Sequence, residues 1–219
     1  MDLIGCKVTI MQNRNTNLND IYMSDRLQAQ LQQIDQYAMT CVVAPMGYGK
    51  TTAVNWFLGE RSKVPGTRVV HISIYSDSLA IFWRNAQSAF AHAGLDFLRQ
   101  YELPSDLQGV MLLMDDMNRA LAGTGPFYIF LDDYHLLRGP RCAHFLCKCA
   151  VQLPKNVHII IASRNHFLSQ AEITKLCSRV CILGPKQLRL DKDAYLRLRE
   201  KEERLAKERQ EQQVQIDAL

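Results

Sequence analysis

The chain has 219 residues, 47% of them apolar and 22% charged, with a formal net charge of +4. That length and apolar content suit one large α/β domain, alone or with an appendage. The charge is too mild to indicate a nucleic-acid-binding face, which needs concentrated basic residues. Seven cysteines, an odd number set mostly in apolar segments, indicate free buried thiols in a reducing cytoplasm. No apolar run approaches the roughly 18 residues of a spanning helix, and the N-terminus lacks the pattern of a signal peptide.

In chain order, residues 1–22 are polar and Asn-rich, with a short apolar run at 8–11, and read as a lead-in. A helix is expected over 24–37, with Leu27, Leu31 and Ile34 on one stripe and Ser24 as N-cap. Residues 39–43 form a short β-branched burst, a buried strand. A helix follows from Lys50 to about Gly59, which would be its C-cap. Further strands are expected at 68–74, 127–131, 157–162 and 179–183, and helices at 79–93, 106–122, 140–153 and 169–177. Five short apolar strands alternating with helices predict βαβ units, hence a three-layer α/β/α domain over 23–190 built on a five-stranded parallel sheet. From 191 to 219 the composition shifts to Glu, Lys, Arg and Gln. This predicts a charged, solvated C-terminal helix with Glu200–Arg204 and Glu203–Lys207 pairs.

The chemistry concentrates at the ends of three strands. Ala44-Pro45-Met46-Gly47-Tyr48-Gly49-Lys50-Thr51 departs from the P-loop pattern G-x-x-x-x-G-K-[ST] at one position, Ala44. A strand precedes it and a helix follows, as that motif requires. Gly47 and Gly49 permit a backbone whose successive amides point at one anion, and the positive end of the next helix faces the same point. Lys50 is then placed for the β and γ phosphates, and the Thr51 hydroxyl for Mg²⁺. The third strand runs into Asp132-Asp133-Tyr134-His135, which places Asp132 beside the metal and Asp133 where it could orient or deprotonate a water. Arg164 follows the fourth strand. If that strand lies between the other two, its guanidinium can report on a γ-phosphate. Together these segments indicate binding of ATP or GTP.

The same residues resemble the nucleotide-binding domain of LuxR/MalT-type STAND ATPases, an NB-ARC-like, AAA-type P-loop domain of bacterial signal-transduction proteins. The resemblance covers about 23–198. It includes Asp25-Arg26-Leu27, the loop from Ala44 through Thr52, Leu131-Asp132-Asp133-Tyr134-His135, Ala162-Ser163-Arg164 and the segment 188–190. It implies a cytoplasmic, ATP-driven switch in transcriptional regulation. ADP would hold a closed monomer, and ATP with an inducer would favour self-association. The nucleotide contacts would come from Pro45, Met46, Gly47, Tyr48, Gly49, Lys50, Thr51 and Thr52. The winged-helix, helical-repeat and helix-turn-helix regions of that family are not among these residues. The chain is therefore expected to be a truncated protein, a fragment or a stand-alone relative, without direct DNA or membrane binding. Ser24 stands where the family usually carries Arg.

With no arginine finger evident in cis, slow hydrolysis is expected. The alternative is a module that binds nucleotide without hydrolysis and works through protein partners. A small-molecule kinase would need an Arg-rich lid, and Arg138, Arg141 and Arg164 do not make an evident one. Cys142, His144, Cys147 and Cys149 have the residue types of a zinc site, but on one helix they point in different directions and read as structural cysteines. His71 and His158, single histidines in strands, read as structural, and His135 as either a phosphate contact or a loop cap. Trp56 and Trp83 are assigned to packing.

Overall fold

A computed structural model describes residues 23–121 and 124–189, together with Leu196, Arg199, Glu200, Glu203 and Arg204. The lead-in, Cys6 and most of the charged segment lie outside the described residues. Within that segment Arg199 and Glu203 form an i,i+4 pair at 3.2 Å.

The apolar strands do what their patterns require. β1 (Met39–Val43), β2 (Arg68–Ser73), β3 (Phe127–Asp132), β4 (Val157–Ser163) and β5 (Val180–Leu183) pair in parallel, in the order β2-β3-β4-β1-β5. Every residue of β1, β3 and β4 is buried, as befits strands covered on both faces. Side chains alternate between two cores. Met39, Cys41, Phe127, Ile129, Leu131, Ile159 and Ile161 enter the larger one, while Val42, Tyr128, Phe130, Ile160 and Ala162 enter the other.

The larger core is roofed by α3 (Leu79–His92), α4 (Leu107–Leu121) and α5 (Pro140–Gln152), with α6 (Gln170–Leu176) at its margin. α4 shows the governing pattern. Val110, Leu113, Met114, Met117 and Leu121 are buried on one stripe, each worth about 1.5–3 kcal/mol in transfer. The smaller core lies under α1 (Asp25–Gln32), α2 (Lys50–Ser62) and α7 (Pro185–Leu188). Serine side chains start three helices: Ser24 accepts from the Leu27 amide, Ser78 from Ile81 and Ser169 from Glu172. Among the described residues no helix is long and apolar enough to cross a membrane.

Three expectations need correction. The helix after the loop does not stop at Gly59, which sits inside α2. Phe57 and Leu58 are buried against the sheet, and Arg61, a turn beyond them, makes an ion pair with Asp35. Those contacts outweigh a glycine penalty of about 1 kcal/mol. The first helix gives way after Gln32 to a 3₁₀ turn, Gln33–Gln36. The thiols are not uniformly buried: Cys41, Cys142 and Cys149 are, Cys147 and Cys181 are half-buried, and Cys177 is exposed with φ +46°.

Two polar ties matter later. At the N-terminal edge of the sheet, Tyr128 donates to Asp35 Oδ1 (2.7 Å) and stacks on His158 (5.2 Å between centroids). Nδ1 of His158 lies 2.9 Å from the Tyr37 carbonyl. Elsewhere, the Arg26 guanidinium donates to the carbonyls of Lys186, Gln187 and Arg189, tying α1 to α7.

Candidate functional site

The strand order decides which strand ends meet. β4 lies between β1 and β3, so the loop after β1, the carboxylates after β3 and Arg164 after β4 share the C-terminal edge of the sheet, where open parallel sheets bind ligands.

The loop leaves β1 where the Ala44 amide donates to the Ser163 carbonyl (3.2 Å). Residues 45–49 are exposed, including the Met46 and Tyr48 side chains. Gly47 (φ +85°) and Gly49 (φ +70°) both adopt left-handed backbone, and no heavy atom lies within 4 Å of where a Cβ would sit on either. The two positions therefore require glycine for conformation rather than for space. Gly49 is the N-cap of α2, so Lys50, Thr51 and Thr52 form its first turn, with amides free of helical partners. Lys50 Nζ donates to the Ala44 and Pro45 carbonyls, at 2.8 and 3.0 Å. Its pKa is lowered, first by burial and then by the Arg164 charge, against the attraction of Asp133 and Asp132.

The decisive contact spans 81 positions. Thr51 Oγ1 donates to Asp132 Oδ1 at 3.1 Å. The same oxygen accepts from the Asp133 amide (2.9 Å). Asp132 is buried, 7% exposed. Burial first, and then the Asp133 charge, push its pKa up, while the Thr51 and Asp133 hydrogen bonds oppose the rise. Two hard oxygen donors side by side, one a carboxylate, suit Mg²⁺, which takes one or two protein ligands and completes its shell with water and phosphate oxygens. Amides without helical partners in the first turn of α2 suit the phosphates. The donor set thus fits both groups.

Asp133 is exposed and left-handed (φ 56°, ψ 35°), opening a 3₁₀ turn at Tyr134–Leu136. His135 Nδ1 lies 3.7 Å from Asp133 Oδ1. The His135 pKa is lowered by burial first and then by the Arg164 charge, with Lys50 adding to the fall. Arg164 is exposed, and the turn that carries it is pinned by Ser163, whose hydroxyl donates to the Asn165 carbonyl at 2.7 Å. The structure thus brings Lys50, Thr51 and Asp132 together directly, and holds Asp133, His135 and Arg164 within electrostatic reach of them.

One neighbour was not foreseen. His71, read as a structural strand histidine, places Nε2 4.0 Å from Asp132 Oδ2. Burial lowers its pKa, against the Asp132 charge. The only signal in the sequence was a polar residue inside an apolar strand; its closeness to Asp132 follows from the register that aligns His71 with Phe130 and Ser73 with Asp132. On α5, Cys142 and Cys149 face the core while His144 is exposed, 3.5 Å from Glu172. Trp83 is buried and donates to the Tyr101 carbonyl (2.7 Å), whereas Trp56 is only half-buried.

No family model matches the chain. Over 189 residues it is 26% identical to the HTH-type transcriptional regulator MalT of Klebsiella pneumoniae, covering 80% of this chain and 20% of that protein. The Yersinia pestis MalT is 23% identical over 153 residues, 69% of this chain and 17% of that one. The chain is homologous to one region of the MalT regulators. It spans about a fifth of the length of these MalT relatives. Among solved structures, Cdc6p of Pyrobaculum aerophilum superposes with a TM-score of 0.50 at 18% identity, over 76% of this chain and 48% of that one. That likeness is one of fold, the P-loop α/β/α sandwich, and it agrees with the MalT homology.

Proposed function

We propose that this chain is an ATP-binding switch domain of the MalT type, holding nucleotide and Mg²⁺ between the loop at 44–51 and Asp132. The observation that carries the reading is the Thr51–Asp132 contact at 3.1 Å. It supports a metal position directly beneath a loop whose amides and lysine suit phosphate. In this reading Pro45, Met46, Gly47, Tyr48 and Gly49 shape the cradle, and the amides of Lys50, Thr51 and Thr52 donate to phosphate oxygens. Lys50 exchanges two neutral carbonyls for the β and γ phosphates, a stronger charge-assisted pairing. Thr51 and Asp132 hold Mg²⁺, which would neutralise charge building on the phosphate oxygens.

Asp133 orients the attacking water and accepts its proton, and Arg164 bonds the γ-phosphate, sensing its presence. Hydrolysis is slow, because no arginine finger is evident among the described residues, and the output is a change of conformation between ADP and ATP forms. The domain at 23–190 then serves transcriptional regulation through self-association or protein partners, since the relatives are transcriptional regulators. DNA contact is not assigned to this chain.

The test is single-turnover ATP hydrolysis alongside calorimetric binding, for the wild type and Asp133→Asn. The expected result is binding retained and a rate reduced about 100-fold or more, the scale of a lost general base. Equal rates in both would remove Asp133 from the chemistry. Tight Mg²⁺-dependent binding with no turnover in either would favour a non-hydrolysing interaction module. A wild type that binds no nucleotide ends the reading.

A further inference from the structure

Asp132 has two carboxylate oxygens, and among the described residues only one of them is hydrogen-bonded. Oδ1 accepts from Thr51 (3.1 Å) and from the Asp133 amide (2.9 Å). Oδ2 faces His71 Nε2 at 4.0 Å, beyond hydrogen-bond range. That nitrogen is itself buried with no hydrogen-bond partner. An orphaned buried polar atom is costly and calls for a reason. The ring is not free to seek another partner, because it stacks on Phe130 with centroids 4.6 Å apart and planes at 23°. The β2–β3 pairing fixes it there, with Ser73 opposite Asp132 two residues on.

A carboxylate held at one oxygen can still rotate about its Cβ–Cγ bond. A donor on the second oxygen removes that freedom and leaves an outward lone pair for a metal or its water. One water about 2.8 Å from each atom would span the gap between Nε2 and Oδ2.

We infer that His71 is a positioning residue for Asp132, its Nε2–H fixing Oδ2, through one water or a small closure, so that the carboxylate is presented to Mg²⁺ in one orientation. The inference rests on the reading of the site given above.

The test uses the whole chain and measures nucleotide affinity by calorimetry across a Mg²⁺ titration and in EDTA. His71→Phe keeps the stack on Phe130 and deletes the donor. His71→Gln returns a donor near the Nε2 position. The Phe variant is expected to need about 10-fold or more Mg²⁺ for half-saturation, the scale of losing a partner of a metal ligand. Its affinity in EDTA should match the wild type and its melting temperature should be no lower, since the costly orphan is removed with the stack kept, and the Gln variant should recover most of the Mg²⁺ dependence. An unchanged Mg²⁺ requirement in His71→Phe overturns the inference, as does a loss equally large in EDTA, which would mean the ring only packs. A Gln variant as impaired as Phe overturns it too. Lys50→Ala, run in parallel, separates the two levels: if it binds nucleotide like the wild type, the site reading itself falls. If it loses binding while His71→Phe keeps a normal Mg²⁺ requirement, only the role of His71 falls.

Discussion

The two edges of the sheet solve opposite problems with similar residues. At the N-terminal edge Asp35, Arg61, Tyr128 and His158 interlock: the carboxylate takes the tyrosine hydroxyl and the guanidinium, and the imidazole reaches the Tyr37 carbonyl. At the C-terminal edge His71 stands 4.0 Å from Asp132 and His135 3.7 Å from Asp133, and His71 Nε2 and His135 Nδ1 are buried without hydrogen bonds. A polar cluster that satisfies its carboxylate and histidine from within braces a fold. The distinction lies in the histidines, since Arg61 Nε at the bracing end is also buried without a partner: a cluster that leaves its imidazoles unmatched does so at a cost in stability.

Substitutions at each edge test that contrast. The largest effect is expected from Lys50→Ala. Loss of a charged donor to phosphate should weaken nucleotide binding by about 3 kcal/mol, roughly 100-fold. Because Nζ bonds only loop carbonyls, the melting temperature should stay nearly constant. Calorimetry and thermal melts read both, and a drop in melting temperature without loss of affinity would erase the distinction between the edges.

Asp35→Ala should do the reverse. It strands the Tyr128 hydroxyl on a residue that is 1% exposed, at a cost of about 2 kcal/mol. The half-exposed ion pair to Arg61 adds little. Urea melts should show that loss, and thermal melts a fall of about 4–8 °C, with nucleotide affinity unchanged.

The smallest effect carries the most telling sign. The Asp132 pKa is raised by burial first and by Asp133 second, so the folded state holds that proton more tightly than the unfolded chain does. Its contribution to stability is therefore full below the ordinary aspartate pKa of about 3.9 and is lost as the pH rises through the higher folded value. Asp132→Asn keeps an acceptor for Thr51 and for the Asp133 amide but cannot ionise. It should be more stable than the wild type at pH 7, the gap closing as the pH falls towards 4, while Mg²⁺-dependent binding disappears. Denaturation at both pH values checks this, and a variant less stable at pH 7 would show that Asp132 belongs with the brace.

What was legible in the sequence follows from which features are local. That the segment from Ala44 to Thr51 joins a strand to a helix could be read because strand, turn glycines and helix start lie within a few residues of one another, and Asp132 could be placed at the end of β3 because the apolar run stops there. The parallel sheet followed from apolar strands alternating with helices. Gly59 misled because α2 is held by Phe57, Leu58 and the Arg61–Asp35 pair, which no local propensity reports. The closeness of His71 to Asp132 was not legible because it comes from register, a property of two strands far apart in the chain. Cys177, expected to be buried, follows a short helix and turns outward in a left-handed conformation that its residue type does not announce.

The sheet order also bears on how the domain is made. Both halves of the Thr51–Asp132 contact are synthesised before β4, yet β4 is the strand that spaces β1 from β3. A chain ending at residue 132 holds the loop at 44–51 and Asp132, but lacks both the strand that separates β1 from β3 and Arg164, which follows that strand. In the proposed reading, the spacing of the pocket therefore depends on a strand, 157–163, that lies between β1 and β3 in space but follows both in the chain.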